Sequence, residues 1–384
     1  MAFFHNRTVN LLNLHYAIHA IAMTGGGAFL AAYLLKAGVP VAGIFVALAA
    51  ILLGRFVIRP LVVAMAVRFG LRALVIAGTL LSAMEFPFLA EVHGVGPALY
   101  ALCVVASAGD TLYWSTYHAY FAALGDDEHR GHQVSAREAI AALVGIVSPL
   151  ATGWLLVEFG PRVAFGATAV VFASAALPLL WTQDVKIART APGAYRAALP
   201  GVLLFLADGW IGAGFVFVWQ IALFLSLHEN IVAFGGALAF AALVGAVGGL
   251  FLGRHIDGGH GGRAVWIAYG TFSFIIVLRA FATHDAGLAV FANALGALGT
   301  CLYTPTLMTP VYTLAKRSPC TLRFHVATEG GWDTGGAGGL LVAALLAHLG
   351  APLWVGILLP LPGVAAISAL LRRYYGNLAA LQAV

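Results

Sequence analysis

The chain has 384 residues, of which 61% are hydrophobic and only 9% charged, with a formal net charge of +5. A soluble domain carries roughly 25% charged residues, so a water-facing surface of this size is excluded and most of it must face lipid. The basic residues sit beside apolar runs and form no continuous tract, which excludes a nucleic-acid partner and makes the charge a topology signal.

Runs long enough to cross a hydrocarbon core of ~30 Å at ~1.5 Å per residue lie near 9–36, 41–64, 72–91, 97–124, 137–158 and 162–182. Six more lie near 198–226, 232–253, 264–282, 287–315, 325–348 and 353–371. His5, Asn6 and Arg7 lead straight into the first run with no small-residue cleavage pattern. The expectation is that no signal peptide is cleaved and the first helix is its own insertion signal. Cys103 and Cys301 fall inside runs and Cys320 in a basic loop, with no metal-knuckle spacing, so neither disulfides nor zinc are indicated.

The breaks between runs alternate in character. One set is short and nearly uncharged: 36–40, 93–96, 159–162, 228–230, 284–287 and 350–352. The other carries Arg68 and Arg72, then Arg130 and Arg137, then Lys186, Arg189 and Arg196, then Arg254 and Arg263, then Lys316, Arg317 and Arg323. Positive charge stays in the cytoplasm, so both termini are expected there, in a multi-pass protein of the cell inner membrane. Only Lys36, Arg162 and Arg279 fall at the other face.

The longest connection, with Pro192 and Gly193, divides the chain into residues 1–182 and 198–384 around a cytoplasmic linker, 183–197. The two parts look alike at an offset of roughly 190 residues, as parallel repeats do. Met23–Gly27 answers Trp210–Gly214, Leu112–Tyr113 answers Leu302–Tyr303, and Glu138 answers Glu329.

Six plus six spans, a central linker and cytoplasmic termini resemble the major facilitator superfamily over essentially the whole chain. That family's loop between the second and third spans reads roughly Gly-x-x-x-Asp-Arg-x-Gly-Arg-Arg. Here the stretch from Val63 to Arg72 keeps Arg68, Gly70 and Arg72 but lacks the glycine and the aspartate. The second-half loop from Gly253 to Arg263 keeps the glycine and Asp257. Gly145-x-x-Ser148-Pro149-x-x-Thr152-Gly153 in the fifth span is similar to a motif of the family's proton antiporters, which favours export over import; a Pro–Gly helix also serves packing.

The resemblance implies an all-α membrane protein of twelve transmembrane helices, in two pseudo-symmetric six-helix bundles around a central cavity. It implies a monomeric secondary transporter of a small organic solute, working by alternating access with protons as the coupling ion and without cofactor or metal, with efflux by antiport favoured over uptake by a symporter of the same fold; a non-transporting membrane sensor of that fold is a further alternative. The first, fourth, seventh and tenth spans would line the cavity. Ionisable groups at that depth are costly and therefore informative. Asp110 is the first candidate proton carrier, followed by Asp208 and Asp333, with His15, His19 and Glu329 beside them. Tyr113, Tyr117, His118, Trp210, Tyr303 and Thr304 are the candidate substrate contacts. The alternative reading makes each carboxylate a neutral or paired structural group between helices.

At the cytoplasmic face Arg68, Arg72, Arg137, Asp257 and Arg263 are the candidate gate, with Arg137 facing Asp257 and Arg68 facing Glu329 by pseudo-symmetry. Arg55 and Arg59 lie unusually deep. They either snorkel to the interface or, for Arg59, pair with a carboxylate of the eleventh span. Glu85 has no evident partner, and the acidic run 126–129 reads as a solvated loop. An intramembrane enzyme is the rival class, but neither His-Glu-x-x-His nor Gly-x-Ser-x-Gly occurs.

Overall fold

The computed structural model describes the backbone of residues 7–124, 130–256 and 261–382, and their side chains except at 122, 130–142, 249–256, 261–263 and 377–382. Every regular element among the described residues is helical. The first part of the chain forms α1 (Arg7–Thr24), α2 (Leu30–Lys36), α3 (Val41–Phe69), α4 (Leu71–Ala90), α5 (Pro97–Leu124), α6 (Arg130–Glu158), α7 (Gly160–Ser174) and α8 (Ala176–Leu179). After the linker come α9 (Ala194–Gly212), α10 (Trp219–Ser226), α11 (Ile231–Ile256), α12 (Gly261–Phe281), α13 (Ala286–Arg317), α14 (Thr321–His348), α15 (Leu353–Leu358) and α16 (Pro360–Gln382).

Several breaks have local causes. Gly25, Gly26 and Gly27 weaken the helix, and the chain passes from α1 to α2 through a 3₁₀ turn, Gly26–Phe29. Pro360 cannot donate a backbone bond and opens α16 where α15 stops. Between α9 and α10 the helix does not stop but widens into a π stretch, Ala213–Val218.

Among the described residues nine helices are long and apolar enough to cross a membrane. α5 and α14 are not among them, and they carry Asp110 and the Glu329–Asp333 pair; the described side chains of α6 leave only a shorter apolar stretch, 143–158. Large apolar side chains point outward, with Val57 72% and Phe281 76% exposed, as lipid-facing surfaces require.

Within the first part of the chain α4 packs on α5 and α7, and α3 on α5; after the linker α9 packs on α14 and α16, and α12 on α13. Two seams join the parts, α3 against α14 and α6 against α11. Cross-helix contacts repeat at the spacing read from the sequence. Cys103 Sγ donates to the Ala47 carbonyl at 3.6 Å, and 190 residues on Asn293 Nδ2 donates to the Ala237 carbonyl at 3.2 Å. Thr111 donates to the Arg55 carbonyl at 3.5 Å, and 190 residues on Cys301 donates to the Gly245 carbonyl at 3.4 Å.

The α3–α4 turn is tied to the linker. Gly70 has φ +85°, and a Cβ there would run into the Asp184 carboxylate, so the turn needs glycine. Leu71 N–H donates to the Val185 carbonyl at 3.0 Å, and Arg72 N–H to Asp184 Oδ1 at 3.2 Å. Burial pushes the Asp184 carboxyl up, but Lys186 Nζ at 2.9 Å and the Arg72 N–H outweigh it and hold the pKa below its ordinary value. A depressed carboxylate stabilises the fold above its unfolded value of ~3.9 and loses that contribution as pH falls further. Asp184→Asn is therefore expected to lower the melting temperature of purified protein at neutral pH by a few degrees at most, with the difference from wild type disappearing below about pH 4.

Candidate functional site

The α3–α14 seam is charged along its middle. Arg55 and Arg59 are four residues apart and so share one face of α3; Glu329 and Asp333 share one face of α14 by the same spacing. The two faces meet. Arg55 lies 3.0 Å from Asp333, 3.3 Å from Asp110 of α5 and 3.5 Å from Glu329. Arg59 Nε donates to Asp333 Oδ2 at 2.7 Å, its Nη2 reaches the same oxygen, and its Nη1 donates to Ser115 at 2.7 Å. The Asp333 side chain is fully buried, and those of Arg59 and Arg55 are 3% and 8% exposed. Charges this deep are costly, and here each is paired. Pairing, rather than snorkelling, therefore settles where Arg59 and Arg55 go.

In the sequence, Arg55, Arg59 and Asp333 of the ladder have uncharged counterparts in the other repeat. Gly145 of α6 faces Ala242 as Gly336 of α14 faces Leu52, which places Ala142 opposite Asp333 in the repeat. Arg55 and Arg59 have Gly245 and Gly249 as counterparts. Of Arg55, Arg59, Glu329 and Asp333, Glu329 has a charged counterpart, Glu138, whose side chain lies outside the described ones.

Beside the ladder lies a cavity of about 250 Å³. Arg55, Glu85, Asp110 and Trp114 line it from the first part of the chain, and Phe217 and Trp332 from the second. Arg55 also stands 5.5 Å from the centre of the Trp332 ring. At the face carrying Lys36 the two parts also touch: Lys36 pairs with Glu229 at 3.4 Å, and Phe29 packs edge-on against Phe234 with ring centres 5.5 Å apart. At the opposite face Arg323 donates to the linker carbonyls of Ala188 at 3.0 Å and Arg189 at 2.7 Å, and the His118 and His325 rings lie 5.9 Å apart.

The other sequence candidates fall in several places. His15 bonds the Ala175 carbonyl at 2.7 Å and the Tyr113 hydroxyl at 3.0 Å. His19 stacks on Tyr113 at 4.2 Å. Tyr117 stacks on Tyr113 at 5.4 Å, and His118 on Trp114 at 5.8 Å. Of this aromatic group only Trp114 reaches the cavity wall. Asp208 accepts a hydrogen bond from the Tyr303 hydroxyl within the second half. Trp210 donates to the Leu359 carbonyl at 2.7 Å and lines a separate groove, and Thr304 is exposed.

Arg68 does not face Glu329. Its guanidinium lies 5.2 Å from the centre of the Phe69 ring, while Glu329 turns to Arg55. Arg72 donates to the Thr182 carbonyl at 2.9 Å. Arg137, Asp257 and Arg263, like the acidic run 126–129, lie outside the described residues or side chains. Arg279 is not a surface charge either. It is 4% exposed, donates to the Phe215 carbonyl at 2.8 Å, and is held against the Phe215 and Trp219 rings at 3.9 and 4.6 Å.

Arg55 and Glu85 are the charged cavity residues that the sequence left without a role. For Arg55 a signal existed: two arginines and two carboxylates, each pair four apart on opposite sides of the linker, form a complementary ladder. For Glu85 there was none, since its neighbours come from other helices.

No curated protein matches the sequence. Two solved structures are similar in fold. The POT family transporter PepTSo, crystallised in meso, is 12% identical with a TM-score of 0.68, covering 97% of this chain and 98% of that one. An auto-inhibited POT family peptide transporter is 12% identical with a TM-score of 0.67, covering 96% and 97%. At such identity the likeness concerns the fold alone. A family model described as Major Facilitator Superfamily matches residues 12–321. The chain, a multi-pass membrane protein by its composition and helices, belongs to the major facilitator superfamily.

Proposed function

We propose that the protein is a secondary active transporter that moves a small organic solute by alternating access, coupled to protons and working as an exporter. It has twelve spans in two six-helix bundles, 1–182 and 198–384, in the inner membrane with both termini cytoplasmic, and acts as a monomer. The observation that carries this reading is the cavity at the junction of the two parts, with one wall made of buried charge. Three carboxyls (Asp110, Glu329 and Asp333) pair with two guanidiniums (Arg55 and Arg59), and a fourth, Glu85, lines the same cavity. With every group ionised, two negative charges would remain uncompensated in a low-dielectric site, which is expensive. That imbalance supports the binding of protons there, and Asp110 is the carrier: it touches Arg55 and also lines the cavity, so it can sense both ladder and solute. Asp208, bonded to Tyr303, is a second titratable group on the seventh span.

Support for export comes from the Gly145–Gly153 stretch, which lies on the α6–α11 seam with the Pro149 carbonyl close to Gly235. The test is transport into proteoliposomes of a radiolabelled compound chosen by thermal-shift screening of small amines and amphipaths. In the wild type an imposed pH gradient drives accumulation. In Asp110→Asn the gradient is expected to drive none, while solute-for-solute exchange continues. Normal gradient-driven accumulation by Asp110→Asn removes it from the mechanism.

A further inference from the structure

Glu85 adds to the excess of negative charge at the cavity but is not a rung of the ladder. Asp110, Glu329 and Asp333 each contact Arg55, and Asp333 also holds Arg59, whereas Glu85 forms no ion pair among the described residues. Its Oε1 is sealed from solvent without a hydrogen-bond partner, yet the side chain is part of the cavity wall. An acceptor in that state costs free energy until something donates to it.

What surrounds Glu85 narrows the donor. The rings of Phe86, Trp114, Phe217 and Trp332 and the amide of Gln220 line the same space. Aromatic faces attract positive charge through their quadrupoles, and a desolvated carboxylate supplies a strong counter-charge. The cation on the wall, Arg55, is already held by three other carboxylates and makes no ion pair with Glu85. A carboxylate solute would meet Glu85 and Asp110 as like charges and is disfavoured. The volume of about 250 Å³, below the ~300–1,000 Å³ of ordinary ligand sites, restricts the occupant to a small molecule.

We propose that Glu85 and the rings of Phe86, Trp114, Phe217 and Trp332 form a binding site for a small organic ammonium ion, with Glu85 as its counter-charge. The proposal rests on reading this cavity as the solute site of a transporter and names the class of solute. No covalent step is involved; the ammonium group exchanges its water shell for ring faces and a carboxylate.

The test is equilibrium binding to the purified full-length chain, read by tryptophan fluorescence and calorimetry, of two probes of similar size and opposite charge, benzyltrimethylammonium and benzoate. The ammonium probe is expected to bind at least ~10-fold more tightly than benzoate, and Glu85→Gln to weaken it by ~10-fold or more. Glu85→Asp, which keeps the charge, is expected to stay within ~3-fold of wild type. Benzoate binding as tightly, or ammonium binding unchanged in Glu85→Gln, overturns the proposal. If Glu85→Gln does not fold, Phe217→Ala carries the test: a loss of ~3-fold or more supports the ring-lined site, and unchanged affinity overturns it. Counterflow of the same probes in proteoliposomes separates this proposal from the transport reading. Glu85-dependent binding of the ammonium probe with no counterflow of any solute leaves the site standing and sinks transport. Counterflow of benzoate alone, with no ammonium binding, does the reverse.

Discussion

Asp333→Ala is expected to destabilise the protein by about 3–5 kcal/mol and to abolish transport, because it takes away the carboxylate to which both deep guanidiniums are anchored. Arg59 would keep only the Ser115 hydroxyl, and Arg55 would keep Asp110 and Glu329 at 3.3 and 3.5 Å. A buried guanidinium with no counter-charge is the costly species, more so than the loss of the pair itself. Removing both partners tests that distinction. Arg59→Met with Asp333→Leu fills similar volume without charge and is expected to melt within ~1 kcal/mol of wild type while remaining inactive. Thermal melting in detergent and proteoliposome uptake report the two effects separately. An Asp333→Ala protein that melts with the wild type, or a double variant less stable than the single, shows that the ladder does not hold the α3–α14 seam.

Gly335→Val is the second large effect, and it acts through shape. Gly331, Gly335 and Gly339 are spaced four apart and turn one bare stripe of α14 toward α9. A Cβ at Gly335 would collide with the Leu206 carbonyl oxygen and come within 3.1 Å of the Trp210 backbone nitrogen, and one at Gly331 would lie 2.5 Å from the Val202 carbonyl oxygen. These neighbours are backbone and cannot rotate away. The cost is expected at or beyond the upper end of the ~1–3 kcal/mol typical of overpacking, seen as loss of folded protein on size exclusion or a sharply lowered melting temperature. Gly236→Ala is the control. It lies in α11 with nothing within 4 Å of its Cβ position, so helix propensity decides and the change is expected to stabilise by roughly 0.5–1 kcal/mol. Equal outcomes for the two substitutions would mean that close approach of α9 and α14 is not what selects glycine.

The helical runs were legible because a lipid-facing segment must satisfy its backbone internally, which leaves a long stretch nearly free of charge. Their ends were less so. The fifth run, placed from 137, begins at Arg130, because polar residues of the first turns look like loop. The π stretch at Ala213–Val218 has no signature in composition and was not foreseen. The repeat was legible because both parts solve the same packing problem, and the paired contacts at Ala47 and Ala237 show it in the backbone.

The site was read in part. Deep carboxylates stood out by their cost, and Asp110 and Asp333 do meet at Arg55. Pseudo-symmetry misled for Glu329, which faces Arg55 and not Arg68, because Arg55 and Arg59 have glycines, Gly245 and Gly249, as counterparts, so the repeat gave no hint of their pairing. The depth of Arg279 was misjudged for a different reason: a guanidinium can be housed by ring faces and a carbonyl without any acid nearby in sequence.

Alternating access across the junction that holds the ladder and the cavity is the central claim, and the Lys36 face is where it is most directly measured. Spin labels at Pro40→Cys and His228→Cys, with Cys103, Cys301 and Cys320 replaced by serine, report the distance between the two parts there without disturbing the Lys36–Glu229 pair. Electron–electron double resonance in lipid is expected to show a short and a long population whose ratio shifts between about pH 8 and pH 5, as a proton-linked two-state equilibrium requires. A single distance that neither pH nor Asp110→Asn alters would contradict it.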